Sequence, residues 1–172
     1  MSAKDLLTTL QEHPRLYQLA DRILLPAPQE TQLTGLVGSA PAFLVGASLL
    51  SPSLSQVNHL IICNDAEEAA YFHNTLESIT EALDLFYFPS SYKNSKNFRL
   101  LNPSHVMLRT EALTRLSKKE ASVGELRKKV LVTYPEALLE KVVGPAAYAD
   151  RLIELSVGAT LDVPALLLKL SE

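Results

Sequence analysis

His59–Ile79 reads HLIICNDAEEAAYFHNTLESI, and the change of pattern inside it sets the fold class. His59–Asn64 is a short apolar run of the kind found in strands buried on both faces. Asp65 then offers an N-cap carboxylate, and Glu68 stands three residues on, as in a capping box. Beyond them Ala69, Phe72, Leu76 and Ile79 recur at helical spacing. The stretch therefore predicts a strand, a capped turn and an amphipathic helix.

The same alternation continues outward. Downstream, LDLFYF (83–88) predicts a strand stopped by Pro89. Ser104 is placed to cap a helix carrying Met107, Leu108, Ala112, Leu113 and Leu116. KVLVTY (129–134) predicts another strand, and Pro135 opens a short helix, PEALLEKVV. Upstream, a short strand is expected from Gln32 to Val37. Pro41 suits the first turn of a following helix, where its missing N–H costs nothing, and that helix extends to about Leu50. Strands alternating with helices imply βαβ units, hence a parallel α/β sheet covered on both faces. Before this unit, residues 3–25 show helical spacing that Pro14 splits in two. After Gly144-Pro145 the pattern changes. RLIELSVG (151–158) alternates like a half-exposed antiparallel strand, and Asp162 caps a helix through VPALLLKLSE. The expected organisation is 1–29 as N-terminal helices, 30–145 as the α/β subdomain and 146–172 as the opening of a second, truncated subdomain.

The turn between the first expected strand and its helix is Gly35-Leu36-Val37-Gly38-Ser39-Ala40-Pro41-Ala42. A phosphate-binding loop needs G-x-x-x-x-G-K-[ST] between strand and helix. Its glycine lets backbone N–H groups close around phosphates, its lysine reaches the β- and γ-phosphates, and its hydroxyl holds Mg²⁺. Here Gly35 is in register. Ala40 replaces the second glycine, Pro41 the lysine and Ala42 the hydroxyl residue. Two readings stay open on the motif alone: an ordinary strand-to-helix turn, or the relic of a nucleotide site.

Other chemistry is sparse. Asp65 and Glu136 follow strands, where a hydrolase would hold Mg²⁺, but both have the positions of helix caps or first-turn acids. His13, His59, His73 and His105 are scattered without metal-ligand spacing. Cys63, the single cysteine, lies inside an apolar run and reads as inert. No G-x-S-x-G elbow occurs. The polar stretch 89–104 carries Tyr92, Lys93, Lys96, Phe98 and Arg99, which could meet a nucleic-acid backbone or base. The formal net charge of −3 argues against a free-standing nucleic-acid clamp. Lys118, Lys119, Arg127, Lys128 and Lys129 read as a solvated connection. Residues 31–64 hold no Asp, Glu, Lys or Arg, yet Pro41, Ser51, Pro52, Ser53 and Ser55 interrupt them before a membrane-spanning length is reached. Of the 172 residues 47% are hydrophobic, which supports a packed core without disulfides. No secretory signal core stands at the N-terminus, and a cytoplasmic protein is expected.

Several stretches, taken in order, resemble the N-terminal region of bacterial transcription-repair coupling factors, a region similar to the excision-repair protein UvrB. They are TGLVGSAPAFLVG, HLIICNDAEEAAYFHNTLE, LFYFPSSY, VMLRTEALTRL with Arg109, KVLVTYPEALLEKVVGP and LIELSVGATLDVPALLLKL. The resemblance covers roughly 30–172. It implies a P-loop NTPase/helicase-like (RecA-like) subdomain with a degenerate nucleotide loop (Gly35, Gly38, Ser39, Ala40, Pro41 and Ala42) that binds no ATP and needs no cofactor or metal. It further implies recruitment of UvrA, mainly through the second subdomain, and autoinhibitory contacts with other domains. DNA translocation and RNA polymerase binding would belong to the full-length protein. No partner-binding residue is carried over. Stretch 89–104 is too short and too poor in aromatics for UvrB's DNA-clamping hairpin. The alternatives are a phosphate- or nucleotide-utilising α/β enzyme with an atypical loop, and a weak DNA-binding module using residues 92–99.

Overall fold

The computed structural model describes residues 2–54, 57–80, 84–92, 100–117, 129–144, 153, 157–158 and 160–171. Two compact units divide the chain, Met1–Lys141 and Val142–Glu172.

In the first unit, α1 (Ala3–Gln11) and α2 (Pro14–Ile23) precede α3 (Ala40–Leu49). Strand β1 (His59–Ile62) leads through α4 (Ala66–Ile79) to β2 (Asp84–Tyr87), and β2 leads through α5 (Pro103–Ser117) to β3 (Lys129–Thr133) and α6 (Pro135–Leu139). The three strands are parallel in the order β1-β3-β2, so the unit is α/β. Alternate β3 residues face opposite layers. Val130 and Val132 pack with Leu49 of α3 and with Ala69 and Leu76 of α4. Leu131 packs with Phe86, Phe88 and the α5 residues Ala112 and Leu113. A second cluster joins Leu7 and Leu16 of α1 and α2 to Ala47 of α3. Helix α3 is thus packed on two sides, which explains why APAFLVGASL is apolar all round. Gly46 permits the close α3–α4 approach, since a Cβ there would meet Ile79 Cδ1 at 3.0 Å.

Four expectations change. Gln32–Val37 forms no strand. Gly35 in its middle takes φ +81°, outside the β region, and among the described residues the segment pairs with no strand. β1 is an edge strand, and one of its faces is open, with Leu60 56% and Ile62 55% exposed. By register these two lie on the α5 side, beside Leu131 and Thr133. One helix about 10 Å wide spans roughly two strands ~4.8 Å apart, and α5 is taken up by β2 and β3. Asn102 caps α5 in place of Ser104: its side-chain carbonyl accepts from Ser104 N at 3.2 Å and its backbone carbonyl from Val106 N at 3.0 Å. Finally α6 stops at Leu139, because Glu140 adopts extended backbone (φ −73°, ψ 129°).

The break at Pro14 and the Asp65 cap are as expected. Asp65 Oδ1 accepts from Glu68 N at 2.8 Å. The Glu68 carboxylate reaches back one residue further than a capping box requires, to Asn64 N at 2.8 Å. In the second unit Asp162 caps α7 (Val163–Ser171), accepting from Ala165 N at 3.0 Å. The strand expected at 151–158 falls largely outside the described residues, as do the connection 118–128, the basic residues Lys93, Lys96 and Arg99, and Phe98. No helix among the described residues is long and apolar enough to cross a membrane.

Candidate functional site at the carboxyl edge of the sheet

In open parallel sheets ligands bind beyond the carboxyl ends of the strands. Here that edge is formed by Asn64 and Asp65 after β1, by Pro89–Tyr92 after β2 and by Tyr134–Glu140 after β3. Its centre is Arg109, which reaches in from α5 and is only 4% exposed. Arg109 Nη1 donates to the carbonyls of Pro89 (2.9 Å) and Ala137 (3.0 Å). Its guanidinium lies 4.0 Å from the centre of the Phe88 ring, and Nε stands 3.6 Å from Glu140 Oε1. Nη2 is buried without a hydrogen-bond partner among the described residues. Glu140 Oε2 also accepts from Ser91 N (2.8 Å) and the Ser90 hydroxyl (3.1 Å), while Tyr134 OH accepts from Ser90 N (2.8 Å). His105 Nδ1 lies 2.8 Å from the Ser90 carbonyl.

Burial raises the Glu140 carboxyl, but hydrogen bonds from Ser91 and Ser90 and the Arg109 charge outweigh it and hold the group below the ordinary carboxylate value. The stabilisation by ionised Glu140 is therefore complete above the ordinary pKa of 4.5 and is lost as pH falls through the lower folded value. Urea midpoints of Glu140→Gln and the parent chain are expected to converge between about pH 6 and pH 3. A gap that stays constant over that range would show that the charge of Glu140 contributes nothing.

Ser90, His105 and Glu140 are the residue types of a hydrolytic triad, but they are not wired as one. The Ser90 hydroxyl donates to the carboxylate, and His105 meets a backbone carbonyl, so the histidine does not stand between acid and hydroxyl as a triad requires. The cluster ties the chain after β2 to the chain after β3. Its nearest sequence signal is spacing: Arg109 stands three, four and seven residues before Ala112, Leu113 and Leu116. An arginine on that stripe must be paired to be buried. The expected apolar face included Met107 instead, which is 73% exposed.

The loop at 35–42 lies elsewhere and is arranged as a turn. Gly35 and Gly38 have φ of +81° and +60°, where a side chain is strained. Ser39 precedes α3 without a side-chain cap, and its hydroxyl sits 2.6 Å from Tyr71 OH. Ala40 N donates to Val37 O at 3.1 Å, Pro41 has no N–H, and Ala42 is buried.

No family model, curated protein or solved structure matches this chain. Its functional reading therefore rests on its own residues.

The remaining expected positions are dispersed. Asp65 caps α4, and Glu136 is an exposed first-turn residue of α6. Nδ1 of His13 caps α2 by accepting from Arg15 N at 3.2 Å, and His73 stacks at a tilt on Tyr87. His59 opens β1 at the opposite end of the sheet. No group of three His, Cys, Asp or Glu able to hold a metal occurs among the described residues. Tyr92 pairs with Leu101 in an isolated antiparallel bridge that closes the base of the 92–101 stretch. Lys129 opens β3, its backbone N–H donating to Asn58 Oδ1 at 3.0 Å.

Cys63 is 8% exposed in the core, and burial, helped by Glu68 and Asp65, pushes its thiol up to about 11. Iodoacetamide at about pH 8 is expected to modify native Cys63 at least ~100-fold more slowly than the urea-unfolded chain, because both access and thiolate are suppressed. Equal rates by mass spectrometry would place the thiol at the surface.

Proposed function

We propose that this chain is a non-catalytic protein-interaction module of the transcription-repair coupling factor type, built on a P-loop NTPase/helicase-like (RecA-like) α/β scaffold that has lost its nucleotide chemistry. In this reading the second subdomain opens near residue 146 and serves UvrA recruitment. The α/β unit is its rigid support and takes part in autoinhibitory contacts with other domains. DNA translocation and RNA polymerase contact belong to the full-length protein, which is cytoplasmic.

The observation that carries the reading is the geometry of the 35–42 turn. Lysine and magnesium-binding hydroxyl are replaced by Pro41 and Ala42, no strand among the described residues aims the loop, and the hydroxyl within 35–42, that of Ser39, is engaged by Tyr71. A phosphate arriving there would meet neither the cation nor the strand-anchored nest that P-loops use. Titration calorimetry is expected to detect no Mg-ATP binding, and micromolar affinity would instead favour a nucleotide-utilising enzyme. The positive half is tested by a chimera in which these 172 residues replace the corresponding stretch of a coupling factor. It should still capture UvrA in a pull-down, and loss of capture by a folded chimera would overturn the assignment.

A further inference from the structure

We infer that the groove between α2 and residues 25–36 is a docking surface for an acidic, leucine-bearing segment of a partner protein, held in extended form. Two adjoining cavities of about 590 and about 380 Å³ make up the groove, and Leu19 lines both. Arg22 lines the first and Arg15 the second. Seven residues apart, the arginines fall on one side of α2, about 10.5 Å apart along its axis, with Leu19 between them. Both are exposed and neither joins an ion pair among the described residues. Glu12, Asp21 and Glu30 are close in sequence but line neither cavity. The groove is thus positive and apolar in a chain whose net charge is −3.

The opposite wall determines the form of the occupant. Residues 26–36 make no backbone–backbone hydrogen bond among the described residues, and Leu33 and Leu36 are 48% and 38% exposed. Between Gln29 and Thr34, past Pro26 and Pro28 and before Gly35, the backbone N–H and C=O groups have no backbone partner among the described residues, and an added strand satisfies such groups. A strand laid there turns alternate side chains to one face. Carboxylates four residues apart, about 13 Å at strand rise, share a face with the side chain midway between them and come within reach of the long side chains of Arg15 and Arg22. The intervening apolar side chain covers Leu19.

The test is fluorescence anisotropy of a labelled heptapeptide, Ser-Glu-Ser-Leu-Ser-Glu-Ser, which in extended form sets both glutamates and the leucine on one face, titrated with the intact chain. Saturable binding is expected, weakening at least ~10-fold from about 50 to about 300 mM salt and again in Arg15→Glu/Arg22→Glu. The milder Arg15→Gln/Arg22→Gln should weaken it less, and circular dichroism establishes that both variants fold. Equal binding of a lysine–leucine peptide, or unchanged affinity in both variants, overturns the proposal. So does stronger competition by a helical peptide of the same composition, or self-association of the chain that the double variants abolish, which would assign the groove to a second copy. None of these readouts depends on nucleotide or UvrA, so the groove stands or falls apart from the functional reading above.

Discussion

Replacing Arg109 with Ala is expected to destabilise the α/β unit by about 3–5 kcal/mol, as breaking one side of a buried ion pair does. The change removes both Nη1 hydrogen bonds, to Pro89 and Ala137, and leaves those carbonyls without that donor. It removes the cation from the face of Phe88 and leaves Glu140 with only its serine partners. It also opens a cavity under α5. Equilibrium urea unfolding gives the magnitude. A second variant separates charge from packing: Arg109→Met fills the space, and adding Glu140→Gln removes the stranded acid. The coupling between positions 109 and 140 is expected to be about 0.5–3 kcal/mol, as for residues of one network. A loss below about 1 kcal/mol for Arg109→Ala would mean that the sheet edge is held by something else.

The same arginine shows where sequence reading reached and where it stopped. The α4 register was legible because one strong local signal, Asp65 with Glu68, fixes the helix start, and Ala69, Phe72, Leu76 and Ile79 then fall on one stripe. β1, β2 and β3 were legible as apolar runs ended by Asn64-Asp65, Pro89 and Pro135. Which strand stands at the edge depends on pairing between residues some 70 positions apart, such as His59 with Val130, and a run like HLII carries no mark of it. The α5 face was mis-sorted because a hydropathy pattern places Met107 inside and Arg109 outside. The structure reverses both, since Pro89, Ala137 and Glu140 gather around position 109 only once three strands are aligned. The segment 32–37 failed for a related reason. Its residues suit a strand, but a strand needs a neighbour, and Gly35 at φ +81° interrupts the extended run. That positions 41 and 42 hold Pro and Ala, with neither lysine nor hydroxyl, was readable at once, whereas the Ser39–Tyr71 contact joins residues 32 positions apart and was not.

Leu76→Ala is expected to destabilise the unit by about 3–5 kcal/mol, the upper part of the range for a buried leucine. Leu76 is fully buried in the last turn of α4, within the cluster that also holds Val130 and Val132 of the central strand. The cost depends on whether neighbours can collapse into the space left behind. Here collapse is opposed on two sides. The strands are fixed in register by the ladder, and α3 already approaches closely at Gly46, where Leu76 Cδ2 would lie 3.5 Å from an added Cβ. Leu116→Ala on α5 is the comparison. With Leu116 42% exposed, that change should cost less than about 1.5 kcal/mol. Urea midpoints at constant m-value report both changes. Equal losses for the two variants would mean that α4 does not seal the sheet and that this face of β3 is not the centre of the core. A large loss at Leu76 with a small one at Leu116 fits a unit sealed by α4 along its length and by α5 only around Arg109 and Ala112, leaving the end of α5 and the open face of β1 free to vary.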